Sequence, residues 1–216
     1  MSTDRRIRPV SVDVLREQSR RYYEAKLREH GPSPRGVDWN SKESQEVRFR
    51  QLARLFEDEP EATVLDYGCG FGALAAYLRT RGHRGGYTGF DVSPQMIEAG
   101  RRFLGAHSGC SLTADRSTLS PADYVVASGL FNVRTDASDT AWREYIVTVL
   151  EDMRRLGVRG FGFNVLTIHS DPERRRDYLY YADPFEWFEH CRRNYSRQVA
   201  LLHDYGLFEF TVLVRL

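Results

Sequence analysis

Three glycines at alternate positions follow an acid near residue 66, and this segment carries the clearest chemical signal in the sequence. Asp66-Tyr67-Gly68-Cys69-Gly70-Phe71-Gly72 comes after the apolar run Thr63-Val64-Leu65 and before the helix-forming residues 73–78. That order predicts a strand, a tight turn and a helix. Because glycine has no Cβ and accepts positive φ, such a turn lets a ligand lie against bare backbone. The segment therefore predicts a cofactor site.

Two cofactor classes use a turn of this kind. Residues 68–73 satisfy the G-x-G-x-x-G/A pattern of dinucleotide-binding folds, although a lone match is weak. The acid two residues before the first glycine, together with Gly72, gives the pattern D-x-G-x-G-x-G. This pattern resembles motif I of the class I S-adenosylmethionine-dependent methyltransferases. A glycine turn that serves only helix–strand packing is the remaining interpretation.

A second motif follows at the separation that this family has. Residues 87–97 read Y-x-G-x-D-x-S-x-x-M-I, and Asp91 stands at the end of a predicted strand, 19 residues beyond Gly72. A carboxylate accepts two hydrogen bonds at once, which suits the two hydroxyls of a ribose. The segment resembles motif II of the same methyltransferases. The resemblance implies that Val92 and Met96 pack on the adenine ring.

The resemblance extends to the tips of the third and fourth strands. It implies that Asp115 accepts a hydrogen bond from the adenine amino group and that the backbone N–H of Arg116 faces the ring. An ordinary turn that begins at Asp115 is the alternative. The fourth strand, residues 122–127, ends at the segment 128–132, which the resemblance places beside the methionine moiety and the methyl group. That segment is not the Asn-Pro-Pro-Tyr of relatives that methylate nucleobase amines.

The segment before the first strand predicts two helices, over residues 11–30 and 41–57. Gln45 lies within the apolar stripe of the second helix, and a buried amide needs a hydrogen-bond partner. The partner is either backbone at the helix end, or the cofactor if residues 39–48 close over it, with Arg48 available to the cofactor carboxylate. The cofactor-binding residues predicted in this way are Trp39, Gln45, Arg48, Asp66, Gly68, Cys69, Gly70, Gly72, Asp91, Val92, Met96, Asp115, Arg116, Ser128 and Phe131.

Residues 139–156 predict a helix whose apolar stripe runs from Trp142 to Leu156, and residues 161–166 predict the fifth strand. Together the strand and helix patterns predict one fold. It is an α/β fold with a doubly wound seven-stranded sheet, whose last strand is antiparallel. Residues 199–202 and 207–216 form its closing hairpin, an ending typical of class I methyltransferases and unusual in nicotinamide-binding domains. We expect residues 1–58 to be an N-terminal helical lid or extension and residues 59–216 to be the S-adenosylmethionine-binding domain.

Two segments could hold a methyl acceptor, residues 11–40 with Tyr22 and Tyr23, and the insertion 167–183. Their aromatic hydroxyls and arginines suit a small polar or anionic molecule. His169 is the candidate general base because the usual pKa of histidine lies near neutral pH, and Tyr181 is the second choice. A solvated loop histidine without catalytic function is the alternative.

The composition of the chain argues against several classes of function. The chain has 31 basic and 30 acidic residues, so it carries no general attraction for nucleic acid, and no His or Cys spacing indicates a metal site. The three scattered cysteines indicate reduced thiols and a cytoplasmic protein, and no segment is long and apolar enough to span a membrane. We expect a monomer or homodimer that methylates a small molecule at O, N or S. The alternatives are an RNA or protein methyltransferase, a protein that binds S-adenosylmethionine without methylating, and a nicotinamide oxidoreductase.

Overall fold

A computed structural model describes residues 11–105 and 109–216, so the first ten residues of the expected lid lie outside it. Within this part the chain forms six α-helices and one seven-stranded sheet. The strands are β1 Val64–Tyr67, β2 Tyr87–Phe90, β3 Cys110–Thr113, β4 Ala122–Ala127, β5 Gly157–Leu166, β6 Gln198–Leu202 and β7 Glu209–Arg215. The helices are α1 Val12–His30, α2 Lys42–Ala53, α3 Ala73–Thr80, α4 Pro94–Leu104, α5 Asp139–Leu156 and α6 Pro184–Asn194.

The strand order is β3-β2-β1-β4-β5-β7-β6. Strands β1 to β5 pair in parallel, and β7 runs antiparallel to both of its neighbours. The doubly wound sheet with an antiparallel last strand is therefore confirmed. Because parallel strands end at the same edge of a sheet, the tips of β1, β2 and β4 lie side by side. A crevice at that edge is the expected position of a ligand.

Most element boundaries agree with the sequence, and two differ for local reasons. Helix α2 ends at Ala53 rather than near residue 57, because Leu55 and Phe56 donate to carbonyls three residues back, at 3.1 and 3.0 Å. Both side chains are still buried, which explains why they continue the apolar stripe. Strand β5 begins at Gly157 rather than 161, since α5 runs directly into it and Gly157 pairs with Ala122.

Helices cover both faces of the sheet, but α1 is attached differently from the others. The predicted apolar stripe of α5, from Trp142 to Leu156, is buried against one face. Phe49 and Leu52 of α2 pack with α3 on the other face. Over its 19 residues α1 buries one apolar side chain, Leu15. Polar contacts must therefore contribute much of what holds α1 in place.

Candidate active site

The glycine turn links the tip of β1 to the start of α3. Gly68 and Gly70 have φ values of +87° and +54°, in the left-handed region that favours glycine. The N–H groups of Gly68 and Cys69 donate to the carbonyl of Phe90 at 2.7 and 2.9 Å, which joins this turn to the tip of β2. A Cβ on Gly68 would lie 2.8 Å from Leu130, so the turn also fits closely against the segment after β4.

Asp91 stands where the two motifs meet. Its carboxylate accepts hydrogen bonds from the N–H of Gly70 and from the N–H of Ser93, both at 2.9 Å. Burial raises the pKa of Asp91 to about 6, and these two hydrogen bonds oppose the rise. A carboxylate has about four acceptor positions, so two remain for a ligand. The first motif thus orients the acid of the second.

Asp66 is 2% exposed and has one oxygen without a partner. Oδ2 accepts a hydrogen bond of 2.6 Å from the hydroxyl of Tyr87, whereas Oδ1 has no hydrogen bond among the described residues. Burial raises the pKa of Asp66 to about 7, although the bond from Tyr87 lowers it. A buried acceptor without a partner is costly. Asp66 therefore fits a ligand that brings a donor or a positive charge.

A cavity lies at this edge of the sheet, and the empty space in it and in its opening to solvent together is about 920 Å³. The predicted cofactor residues that line it are Trp39, Gln45, Asp66, Gly68, Cys69, Gly70, Asp91, Val92, Met96 and Ser128. Gln45 is 6% exposed and lines the cavity, and no hydrogen bond joins its side-chain amide to another described residue. The hydroxyl of Ser128 also has no partner in the described part of the chain. Unpaired polar groups thus converge on the cavity.

Arg48 requires a correction. Its Nε and Nη2 both donate to the buried carboxylate of Glu209 at 2.7 Å, and Nη1 donates to the carbonyl of Ser44 at 2.6 Å. The guanidinium lies 4.0 Å from the ring centre of Trp39 and does not line the cavity. Arg48 is therefore committed to protein partners rather than available to a cofactor carboxylate.

Four other predicted residues also lie outside the cavity wall. Asp115 is exposed and accepts from the N–H and hydroxyl of Ser117, at 2.9 and 2.6 Å, as in the alternative interpretation of a local turn. Arg116 pairs with Asp152 of α5. The other two residues support the fold. Gly72 is the N-cap residue of α3, and the side chain of Phe131 is fully buried in the core.

The two candidate catalytic residues are separated from the cavity. His169 is exposed, and its ring lies 5.9 Å from that of His203, which also does not line the cavity. The hydroxyl of Tyr181 accepts from the N–H of Arg176 at 3.0 Å. The insertion that carries both residues pairs instead with the segment after β4, through a bridge between Val133 and Leu179. We therefore assign neither residue a role as general base.

Sequence reasoning missed the cavity-lining residues of α1. Arg16, Ser19 and Arg20 lie in the cavity wall beside Tyr23, which the sequence places near the acceptor. One signal in the sequence could have indicated these residues. Ser19 is a polar residue within the apolar stripe of α1, where a core-facing helix would have an apolar side chain. Tyr22 turns away, because its hydroxyl donates to Asp38 at 2.7 Å.

Fold and site together define the class of protein. A doubly wound sheet with an antiparallel last strand, and a glycine turn facing an acid at the second strand tip, is the arrangement of an enzyme that binds a nucleoside cofactor. The sequence model of a methyltransferase domain matches residues 65–157. The chain is 50% identical over 157 residues to Rv1506c of Mycobacterium tuberculosis, described as a putative methyltransferase, and the match covers 71% of this chain and 92% of that protein. The chain belongs to the class I S-adenosylmethionine-dependent methyltransferases, and S-adenosylmethionine is its cofactor.

Solved structures share this fold at low sequence identity. Magnesium protoporphyrin IX methyltransferase from Synechocystis PCC 6803, solved with bound S-adenosylmethionine, is 14% identical with a TM-score of 0.65, over 95% of this chain and 97% of that one. Human N-acetylserotonin methyltransferase is 15% identical with a TM-score of 0.66, over 95% of this chain and 60% of that one. Within the described residues, no helix combines the length and the apolar character needed to cross a membrane.

Proposed function

We propose that this enzyme transfers the methyl group of S-adenosylmethionine to a small polar or anionic molecule. The observation that carries the proposal is the covered cavity. Ser19, Arg20 and Tyr23 of α1 line the same cavity as the glycine turn, so two different segments of the chain bound the space for an acceptor. A cavity bounded by two segments in this way suits a small molecule better than a folded macromolecule.

The unpaired groups of the cavity match the parts of the cofactor. We assign the ribose hydroxyls to Asp91, the adenine ring to Val92 and Met96, and the methionine ammonium to Asp66. Gln45 and the indole N–H of Trp39 are donors available to the methionine carboxylate. When bound, S-adenosylmethionine supplies a methyl group that is already activated for displacement.

Orientation is the main contribution of the protein. Holding donor and acceptor near attack distance removes much of the entropic barrier, and a base is needed only where the acceptor must lose a proton. Burial raises the pKa of Tyr23 above its usual range, and the nearby Asp38 and Asp91 raise it further. The Tyr23 phenol therefore stays protonated at neutral pH and can donate a hydrogen bond to the acceptor.

We propose that residues 1–58 act as a lid, with the acceptor entering between α1 and the insertion 167–183. The two segments are in contact, since the rings of Tyr22 and Tyr178 lie 6.1 Å apart. The N–H groups of Arg134 and Thr135, after β4, donate to the carbonyl of Tyr178 at 3.0 and 3.1 Å. Aromatic hydroxyls and arginines at this entrance suit a polar or anionic acceptor. A cytoplasmic location is also proposed, from the three free cysteines.

The test is to incubate the purified enzyme with S-adenosylmethionine and three separate fractions of a cell extract: small molecules, RNA and protein. We expect S-adenosylhomocysteine to form with the small-molecule fraction, together with one compound that gains a methyl group. If S-adenosylhomocysteine forms with the RNA or the protein fraction instead, the acceptor is a macromolecule and not the proposed small molecule. If S-adenosylmethionine is not consumed with any of the three fractions, the result would favour a protein that binds the cofactor without transferring its methyl group.

A further inference from the structure

Helix α1 supplies Arg16, Ser19, Arg20 and Tyr23 to the cavity wall, so its position affects how easily a cofactor enters or leaves. Its buried polar residues are Ser19 and Glu24, against the single buried apolar residue Leu15. A helix attached in this way can detach without exposing much apolar surface. The strength of its polar contacts should then decide how often it opens.

Of the two buried polar residues of α1, Glu24 is the less exposed to solvent. Glu24 is 5% exposed and accepts a hydrogen bond of 2.8 Å from the hydroxyl of Ser93 and one of 3.3 Å from the amide of Gln95. Nη1 of Arg20, one turn earlier on α1, lies 2.9 Å from both carboxylate oxygens. Each of its three hydrogen-bond partners among the described residues donates, so a side chain with two acceptor oxygens suits this position.

Ser93 connects Glu24 to the ribose-binding acid. The hydroxyl that donates to Glu24 also accepts from the N–H of Met96 at 3.1 Å and caps α4. The N–H of the same residue donates to Asp91 at 2.9 Å. A displacement of α1 therefore acts, through one residue, on the orientation of the Asp91 carboxylate.

We propose that Glu24 is a positioning residue that fastens α1 to the loop carrying Asp91 and thereby sets the rate at which bound cofactor leaves. This inference rests on the proposed assignment of the ribose to Asp91. Closing of the lid and alignment of Asp91 are one event, since the same serine takes part in both. Bound cofactor in turn holds the loop in the position that Glu24 recognises.

The test compares Glu24→Gln with Glu17→Gln. Glu17 also pairs with Arg20, at 2.7 Å, but its side chain is 40% exposed and is not bonded to the loop. The amide nitrogen that Glu24→Gln introduces would face only donors. The rate at which S-adenosylhomocysteine dissociates is measured by stopped-flow displacement. We expect this rate to be about tenfold higher than wild type in Glu24→Gln and within about twofold of wild type in Glu17→Gln. We expect the two variants to have similar melting temperatures.

Equal dissociation rates in the two variants would overturn the proposal. A second measurement on the wild-type protein applies if Glu24→Gln does not fold. Adding S-adenosylhomocysteine should slow amide hydrogen exchange in α1 and in residues 91–96 together, and slowing in the loop without α1 would contradict the proposal. If wild-type protein does not bind S-adenosylhomocysteine, the assignment of the cofactor site fails instead.

Discussion

Arg48 and Glu209, 161 residues apart in the chain, are joined by two hydrogen bonds of 2.7 Å. Asn132, after β4, adds a third bond to Glu209 at 3.2 Å. The guanidinium stacks on Trp39, and the indole in turn lies against Gly129. The ion pair thus fastens the N-terminal segment to β7 and holds the cavity-lining face of Trp39 at the tip of β4.

Breaking this pair should destabilise the protein strongly, because it leaves a buried charge without a partner. For Glu209→Gln we expect a loss of about 3–5 kcal/mol in the free energy of unfolding, measured by urea denaturation. The control is Glu61→Gln, whose pair with Arg84 is exposed on both sides and should contribute less than about 1 kcal/mol. Equal losses in the two variants would show that burial of the Glu209 pair has no energetic consequence.

Gly129 allows Trp39 to approach the tip of β4. A Cβ on Gly129 would lie 2.3 Å from the indole, so Gly129→Ala should displace Trp39 and weaken cofactor binding by about tenfold. Gly206→Ala is the matched control. Its φ of +72° is close to the +70° of Gly129, but apart from its chain neighbours none of the described residues comes within 4 Å of the added Cβ. Calorimetric titration should detect weaker binding in the first variant only, and equal affinities would mean that Trp39 does not shape the site.

Local patterns were sufficient to predict the fold class, its order of elements and ten of the residues that line the cavity. Asp66, Gly68, Gly70 and Asp91 lie within short segments whose spacing fixes their position at strand tips. The role of Arg48 could not be predicted, since its partner Glu209 is brought near only by the closing hairpin. His169 had a suitable chemical type, but nothing local shows which way an insertion folds.

The pKa of Asp66 predicts a pH dependence of stability. Its usual value is 3.8 and its value in the folded protein is about 7, so the folded state binds the proton more tightly than the unfolded state does. The resulting stabilisation is complete below about pH 4 and is lost as the pH rises through about 7. Relative to Asp66→Asn, the wild-type protein without cofactor should therefore lose on the order of 4 kcal/mol between about pH 4 and 8.

Urea denaturation of both proteins across this range measures the difference, since other titrating groups are common to the two. S-adenosylmethionine should reduce the loss in wild type, because a cationic ammonium at Asp66 favours the ionised carboxylate. A constant difference between the two proteins at every pH would mean that folding does not change the pKa of Asp66.

The most direct test of the cofactor site is a calorimetric titration of Asp91→Ala with S-adenosylmethionine. Removing a charged acceptor of the ribose hydroxyls should weaken binding by about 2 kcal/mol, or roughly thirtyfold. Asp123→Ala is the control, because Asp123 also accepts two hydrogen bonds, from Thr63, but stands at the opposite edge of the sheet. The account predicts a large loss of affinity in Asp91→Ala and wild-type affinity in Asp123→Ala. Unchanged affinity in a folded Asp91→Ala variant would contradict it.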